Sequence, residues 1–179
     1  MEIIKTSIEG LVVVQPRVFE DERGYFMESY KESFIKNNFP DIHFIQDNES
    51  RSSYGVLRGL HFQKPPFEQT KLVRVIVGEV LDVAVDLREN SLTYGKWESV
   101  ILSGENKKQF FIPKGFAHGF VVLSNSAVLC YKVDNPYEPD YDSGIKFNDE
   151  TLKINWKLPI EEIIVSSKDL GLKRKSDKK

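Results

Sequence analysis

Short runs rich in Val, Ile, Phe and Tyr recur along nearly the whole chain, and Gly, Pro, Asn or Asp cuts each one off after a few residues. The runs are LVVVQP (11–16), GYFMESY (24–30), IHFIQDNES (42–50), VLRGLHFQ (56–63), KLVRVIVGEVLDVAVDL (71–87), KWESVILS (96–103), KQFFIPKGFAHGFVVLS (108–124) and AVLCYKVDNPY (127–137). The breaks include Gly78, Asn90, Gly104-Glu105-Asn106, Asn125 and Asn135-Pro136. β-branched and aromatic residues fit a pleated, half-buried surface, and many short strands at close spacing predict a sandwich or barrel. Helical patterning is confined to YKESFIKNNF (30–39) and a turn near IEEII (160–164). No repeat or composition shift marks a second unit. The expectation is one all-β domain over 1–170, followed by a basic, disordered tail over 171–179 ending in KRKSDKK.

A chain of 179 residues is long enough for one sizeable core. Its net charge of -2 supplies no broad basic field, which argues against nucleic acid as a partner. One cysteine, Cys130, excludes an intrachain disulfide and a CxxC metal clip. The opening MEIIKTSIEG places charges where a signal peptide needs an apolar core, and no apolar run reaches the length of a membrane span. These features predict a cytoplasmic protein with no membrane contact.

GVLRGLHFQ (55–63) raises a chemical question. A strand built for a core carries Arg58 and His61, three positions apart, so regular pleating sends them to opposite faces. Gly59 lies between them, and glycine inside a strand often marks a bulge. A bulge would bring both side chains to one side. Without it, Arg58 is a solvated strand charge and His61 a satisfied core histidine. His118 in FIPKGFAHGF sits among apolar residues. Lys71 shares parity with Val73 and Val75, and Tyr131 with Ala127, Leu129 and Val133, which puts an amine and a phenol on inward faces. Each also has an ordinary explanation: a lysine reaching solvent from a strand end, or a core tyrosine.

A barrel lined by histidine, lysine and tyrosine admits metal chemistry or metal-free proton transfer. LHFQ and PKGFAH resemble the two motifs of the cupin superfamily, but Gln63 stands where metal-binding cupins carry a second histidine. His61 and His118 fall short of three protein ligands, so no metal is expected. Proton transfer suits the set better. An imidazole titrates near neutral pH, a lysine cation can hold an oxyanion, and a phenol can return a proton.

The series FEDERGYFMESY, FIQDNES, GVLRGLHFQ, KLVRVIVGEVLDVAVDLR, YGKWESVILSGENKKQFFIPKGFAHGFVVLS, YKVDNPYEPDYDSGIKFND and SSKD, in this order, resembles the dTDP-4-dehydrorhamnose 3,5-epimerase family almost throughout. The resemblance implies a cupin-like jelly roll, a double-stranded β-helix with a few short peripheral helices. It also implies a homodimer without cofactor, acting on dTDP-4-dehydro-6-deoxy-D-glucose in dTDP-L-rhamnose biosynthesis. By that resemblance His61 is the general base, Asp169 orients it, Lys71 stabilises the enolate oxygen and Tyr131 donates a proton from the opposite face. His118 contacts the sugar. Arg23, Glu28, Gln46, Asn48, Arg58, Asp142 and Lys168 match substrate-binding positions, Tyr137 matches an aromatic that stacks on thymine, and Phe26 is a wall of the same site. A single-centre epimerase, a non-catalytic sugar-nucleotide binder and a metal-dependent cupin oxygenase are the competing readings.

Overall fold

The computed structural model describes residues 1–175. Strands dominate, as the punctuated apolar runs predict. One six-stranded sheet has the order β1 (Glu2–Lys5), β2 (Val12–Gln15), β10 (Gln109–Ile112), β7 (Lys71–Val77), β12 (Ser126–Val133) and β5 (Gln46–Ser53). A five-stranded sheet has the order β13 (Asp142–Gly144), β6 (Leu57–Gln63), β11 (Phe116–Val122), β8 (Glu79–Asp86) and β9 (Trp97–Ser103). Pairing within both sheets is antiparallel. Neighbours in each sheet come from distant parts of the chain, and the two sheets face one another, which is the anticipated jelly roll. A separate two-stranded ribbon is formed by β3 (Val18–Asp21) and β4 (Gly24–Met27).

The core lies between the sheets. Val73, Val75, Leu129 and Phe110 from the first sheet meet Val80, Ala84, Phe116, Phe120 and Val122 from the second. A fully buried aliphatic or aromatic side chain of this kind stabilises the fold by about 1.5–3 kcal/mol. Both sheets are also covered on their outer faces. Leu81, Val83, Val85, Ala117 and Val121 lie beneath Ile145, Phe147, Leu152 and Trp156 from the C-terminal part of the chain. On the other side Val12, Val14, Leu72 and Phe111 pack under Ile35 of α1 (Glu32–Asn38), the helix anticipated over 30–39. Burial on both faces explains why VLDVAVD lacks the clean alternation of a one-sided strand.

The run over 71–87 is two strands, because Gly78 turns the chain at a φ of 80° where a Cβ would lie 2.1 Å from the Ser126 carbonyl oxygen. The strands β1, β3 and β13 were not anticipated. They are short, β13 (DSG) is polar, and β3 (VFED) is mostly exposed. The turn near IEEII is a 3₁₀ turn over Ile160–Glu162, and a short helix α2 (Ser167–Leu170) follows it.

The tail calls for a correction. Its first residues were expected to be disordered, yet 172–175 are tied down. The Lys146 N–H donates to the Lys173 carbonyl at 3.0 Å, and the Lys175 N–H donates to Asp149 Oδ2 at 2.6 Å. Leu172 supplies the one apolar side chain in the stretch, and it lies against Gly144. Residues 176–179 of that tail lie outside the described residues.

Candidate active site

The bulge expected at Gly59 forms. His118 of β11 pairs with His61 of β6, and Phe120 pairs with Arg58, with a register shift between the two pairs. Three steps on β6 therefore span two steps on β11. His118 and Phe120 share a face, so Arg58 and His61 are brought to one face as well. Glycine is required here, since φ is 139° and a Cβ would lie 2.5 Å from the Gly119 Cα.

Arg58 and His61 line a cavity of about 660 Å³ together with Lys71, His118, Tyr131, Asn48, Lys168 and Asp169. Apolar walls come from Val56, Leu57, Phe120, Leu129, Ile164 and Val165. A cavity of this size suits a small organic ligand. The segment after 160 closes one side by a bridge to the residues that lead into β6: the Leu57 N–H donates to the Ile164 carbonyl, and the Ile164 N–H to the Gly55 carbonyl, both at 2.8 Å. It then turns into α2, whose N-cap Ser166 accepts from the Asp169 N–H at 3.1 Å. This cap fixes the first turn, and Asp169, only 3% exposed, points at His61. Asp169 Oδ1 lies 2.7 Å from His61 Nε2. Its other oxygen accepts the Gly59 N–H at 3.4 Å. The imidazole is thus held by one nitrogen, and Nδ1 is the nitrogen left to meet a ligand.

Lys71 and Tyr131 occupy the inward faces predicted for them. The Lys71 ammonium lies 6.0 Å from the centre of the Tyr131 ring. Burial pulls the Lys71 amine down to about 8, against the opposing charges of Asp82 and Asp142. Burial also raises the Tyr131 phenol above its ordinary value, with Arg58 opposing, so the phenol keeps its proton near neutral pH. His118 is buried, with Nε2 between Asp82 Oδ1 at 2.9 Å and Oδ2 at 3.0 Å. Burial holds this imidazole below its usual range, with Asp82 pulling the other way. Asp82 was missed in the sequence, although its parity with Val80 and Ala84 places a charge on an inward apolar face.

The remaining predicted residues divide into two groups. Around the rim, Gln46 Nε2 donates to Asn48 Oδ1 at 2.8 Å, and the Tyr137 hydroxyl donates to Asp142 Oδ2 at 3.2 Å. Lys168 is ion-paired with the same carboxylate, which joins Tyr137 and Asp142 to the cavity wall. Arg58 Nε donates to Ser52 Oγ at 3.1 Å. Arg23, Phe26 and Glu28 are not brought into this cavity by their own chain. Arg23 is paired with Asp21, Glu28 with Lys31, and Phe26 is 67% exposed on the ribbon. Among the described residues, no cluster of three or more His, Cys, Asp or Glu side chains is placed to hold a metal ion.

The family model for dTDP-4-dehydrorhamnose 3,5-epimerase matches residues 5–177. The chain belongs to this family. A dTDP-4-dehydrorhamnose 3,5-epimerase from Methanothermobacter thermautotrophicus is 53% identical over 95% of this chain and 92% of its own. The crystal structure of the epimerase from Elizabethkingia anophelis superposes with a TM-score of 0.95 at 52% identity, covering 99% of this chain and 98% of that one. The Legionella pneumophila enzyme, solved in complex with dTDP-4-keto-L-rhamnose, gives a TM-score of 0.93 at 48% identity over 97% and 92% of the two chains. The epimerase family therefore supplies both the fold class and the reaction class of this chain.

Proposed function

We propose that the protein converts dTDP-4-dehydro-6-deoxy-D-glucose to dTDP-4-dehydro-L-rhamnose by inverting C3 and C5, without a cofactor. The observation that carries this reading is one cavity holding an imidazole paired to a buried carboxylate, a desolvated amine and a protonated phenol.

The C4 ketone acidifies the hydrogens at C3 and C5. His61 takes the proton from C3, and the electron pair of the C–H bond moves through the new C3–C4 double bond onto the C4 oxygen. Asp169 keeps the imidazole oriented and stabilises the cation that forms. Lys71, as an ammonium ion, offsets the charge on the enolate oxygen. Tyr131 then gives its proton to the opposite face of C3, and the double bond collapses back to the ketone. The same groups act at C5 after His61 has lost its proton to solvent and Tyr131 has regained one. That exchange makes each cycle visible as deuterium uptake in heavy water.

The nucleotide end falls to Arg58, Gln46, Asn48, Lys168 and Asp142, with Tyr137 stacking on thymine and His118 contacting the sugar. Arginine suits a diphosphate because its planar fork matches two phosphate oxygens. Arg23, Phe26 and Glu28 complete the site from a second copy, which makes the working form a homodimer. A nucleotide-linked substrate is consistent with the cytoplasm as the place of action, and cell fractionation tests that.

The deciding experiment is proton NMR of the substrate in heavy water, with and without a 4-dehydrorhamnose reductase and NADPH to trap product. Deuterium at C3 and C5, with dTDP-L-rhamnose on trapping, supports the double epimerase. Deuterium and inversion at one carbon move the protein to the single-centre enzymes, and binding without exchange leaves a sugar-nucleotide binder.

A further inference from the structure

We propose that Asp82 is a positioning residue of this site, which holds His118 by one ring nitrogen and supplies the counter-charge that keeps Lys71 an ammonium ion. The inference rests on the epimerase reading and adds a residue to it.

Asp82 lies in the middle of β8 on the inward face, between Val80 and Ala84, and it is fully buried. A carboxylate taken out of water costs several kcal/mol unless it is paired, and apolar residues in such a place are often no worse for stability. Packing alone therefore favours a valine here, as at position 80. Both carboxylate oxygens of Asp82 accept from His118 Nε2, Oδ1 at 2.9 Å and Oδ2 at 3.0 Å. The arrangement repeats that of Asp169 on His61, a second carboxylate–imidazole pair one strand further round the barrel.

Two consequences follow from the chemistry. With His118 neutral, Nε2 carries the proton and donates it to Asp82. Nδ1 is then a lone-pair acceptor for a sugar hydroxyl. A neutral imidazole does not cancel the carboxylate charge, so Asp82 still acts on Lys71. The carboxylates whose charge acts on Lys71 are Asp82 on β8 and Asp142 on β13. His61, His118, Tyr131, Glu49, Arg58, Lys168 and Asp169 line the same cavity, and Glu68, Arg88, Glu89, Tyr94 and Lys175 line a second one that Lys71 also borders. Asp142 is ion-paired with Lys168 and hydrogen-bonded to Tyr137. Asp82 is therefore the carboxylate free to balance the buried amine. Lys71 and Asp82 project inward from facing sheets, Lys71 in the parity of Val73 and Val75 and Asp82 in that of Val80 and Ala84.

The test compares wild type with Asp82→Asn, which keeps the shape and a hydrogen-bond acceptor but removes the charge. Lys71 is titrated directly by NMR of protein carrying isotopically labelled lysine, assigned with Lys71→Arg. The proposal expects the Lys71 midpoint, near 8 in wild type, to fall by about one unit in Asp82→Asn, where one unit is a tenfold change in the equilibrium. The alkaline limb of kcat/KM for the keto sugar is expected to move to lower pH by the same amount, while the affinity for dTDP stays within about twofold, since no diphosphate contact is lost. A folded variant whose Lys71 midpoint does not move overturns the proposal.

If Asp82→Asn fails to fold, ¹⁵N NMR of the wild-type histidines still decides the His118 half. The proposal requires His118 to be protonated at Nε2 near neutral pH, and an Nδ1–H tautomer overturns it. If the wild type turns over no substrate, yet Asp82→Asn lowers the Lys71 midpoint, the epimerase reading falls and the role of Asp82 stands.

Discussion

Tyr131 and His61 share one cavity, and the duties proposed for them predict different outcomes on substitution. A phenol that only returns a proton is not needed to remove one. If the proposed roles hold, His61 in Tyr131→Phe still takes the C3 proton, exchanges it with solvent and hands it back to the face it came from. The expected result is substrate recovered with deuterium at C3 and its configuration unchanged, read by NMR in heavy water. Deuterium with inversion in this variant removes Tyr131 as the donor. Asp169→Asn tests the other partner. It keeps the Ser166 cap, which uses the backbone N–H of residue 169, so α2 should hold. It removes the charge 2.7 Å from His61 Nε2. A fall in kcat of about 10²-fold or more is expected, the order of a general-base contribution, with dTDP binding unchanged by calorimetry.

At the scale of the strand, the bulge in β6 is the element on which the cavity depends. Gly59→Ala puts a Cβ within 2.5 Å of the Gly119 backbone at a φ of 139°, where side chains are strained. Backbone meets backbone there, so no side chain can swing away. The expected outcome is a loss of about 2 kcal/mol or more of stability, measured by urea unfolding. Whatever folds should lose exchange activity, because Arg58 and His61 no longer share a face. This bulge was legible in the sequence, since glycine between two polar residues in an apolar strand has few other reasons to be there. The long strands were legible for the related reason that burial demands β-branched residues. The short strands β3 and β13 bury little apolar surface and lack that demand, and they pair because their neighbours position them. Asp169 is 108 residues from His61 in the chain, so no local pattern could join them, and the resemblance alone pointed there. Asp82 could have been found from parity, because a carboxylate between Val80 and Ala84 on an inward face calls for a partner.

For the whole molecule, the unsolved element is the ribbon of β3 and β4. A two-stranded hairpin is marginal alone in water, and this one exposes Phe19, Tyr25 and Phe26, each at least half accessible. It also carries Arg23, with Glu28 close behind, away from the cavity that their chemistry suits. A second copy that covers the aromatic face and receives these side chains resolves both facts. Light scattering should then give twice the chain mass. A sharper test mixes two inactive variants, His61→Ala and the double variant Arg23→Ala with Phe26→Ala. In a mixed dimer with ribbons exchanged, the chain that keeps His61 receives an intact ribbon from its partner, so one site per dimer is whole. Activity should therefore return on mixing, approaching about half that of wild type in the mixed species. If each ribbon served its own cavity, both sites of every mixed dimer would carry a lesion and no activity would return.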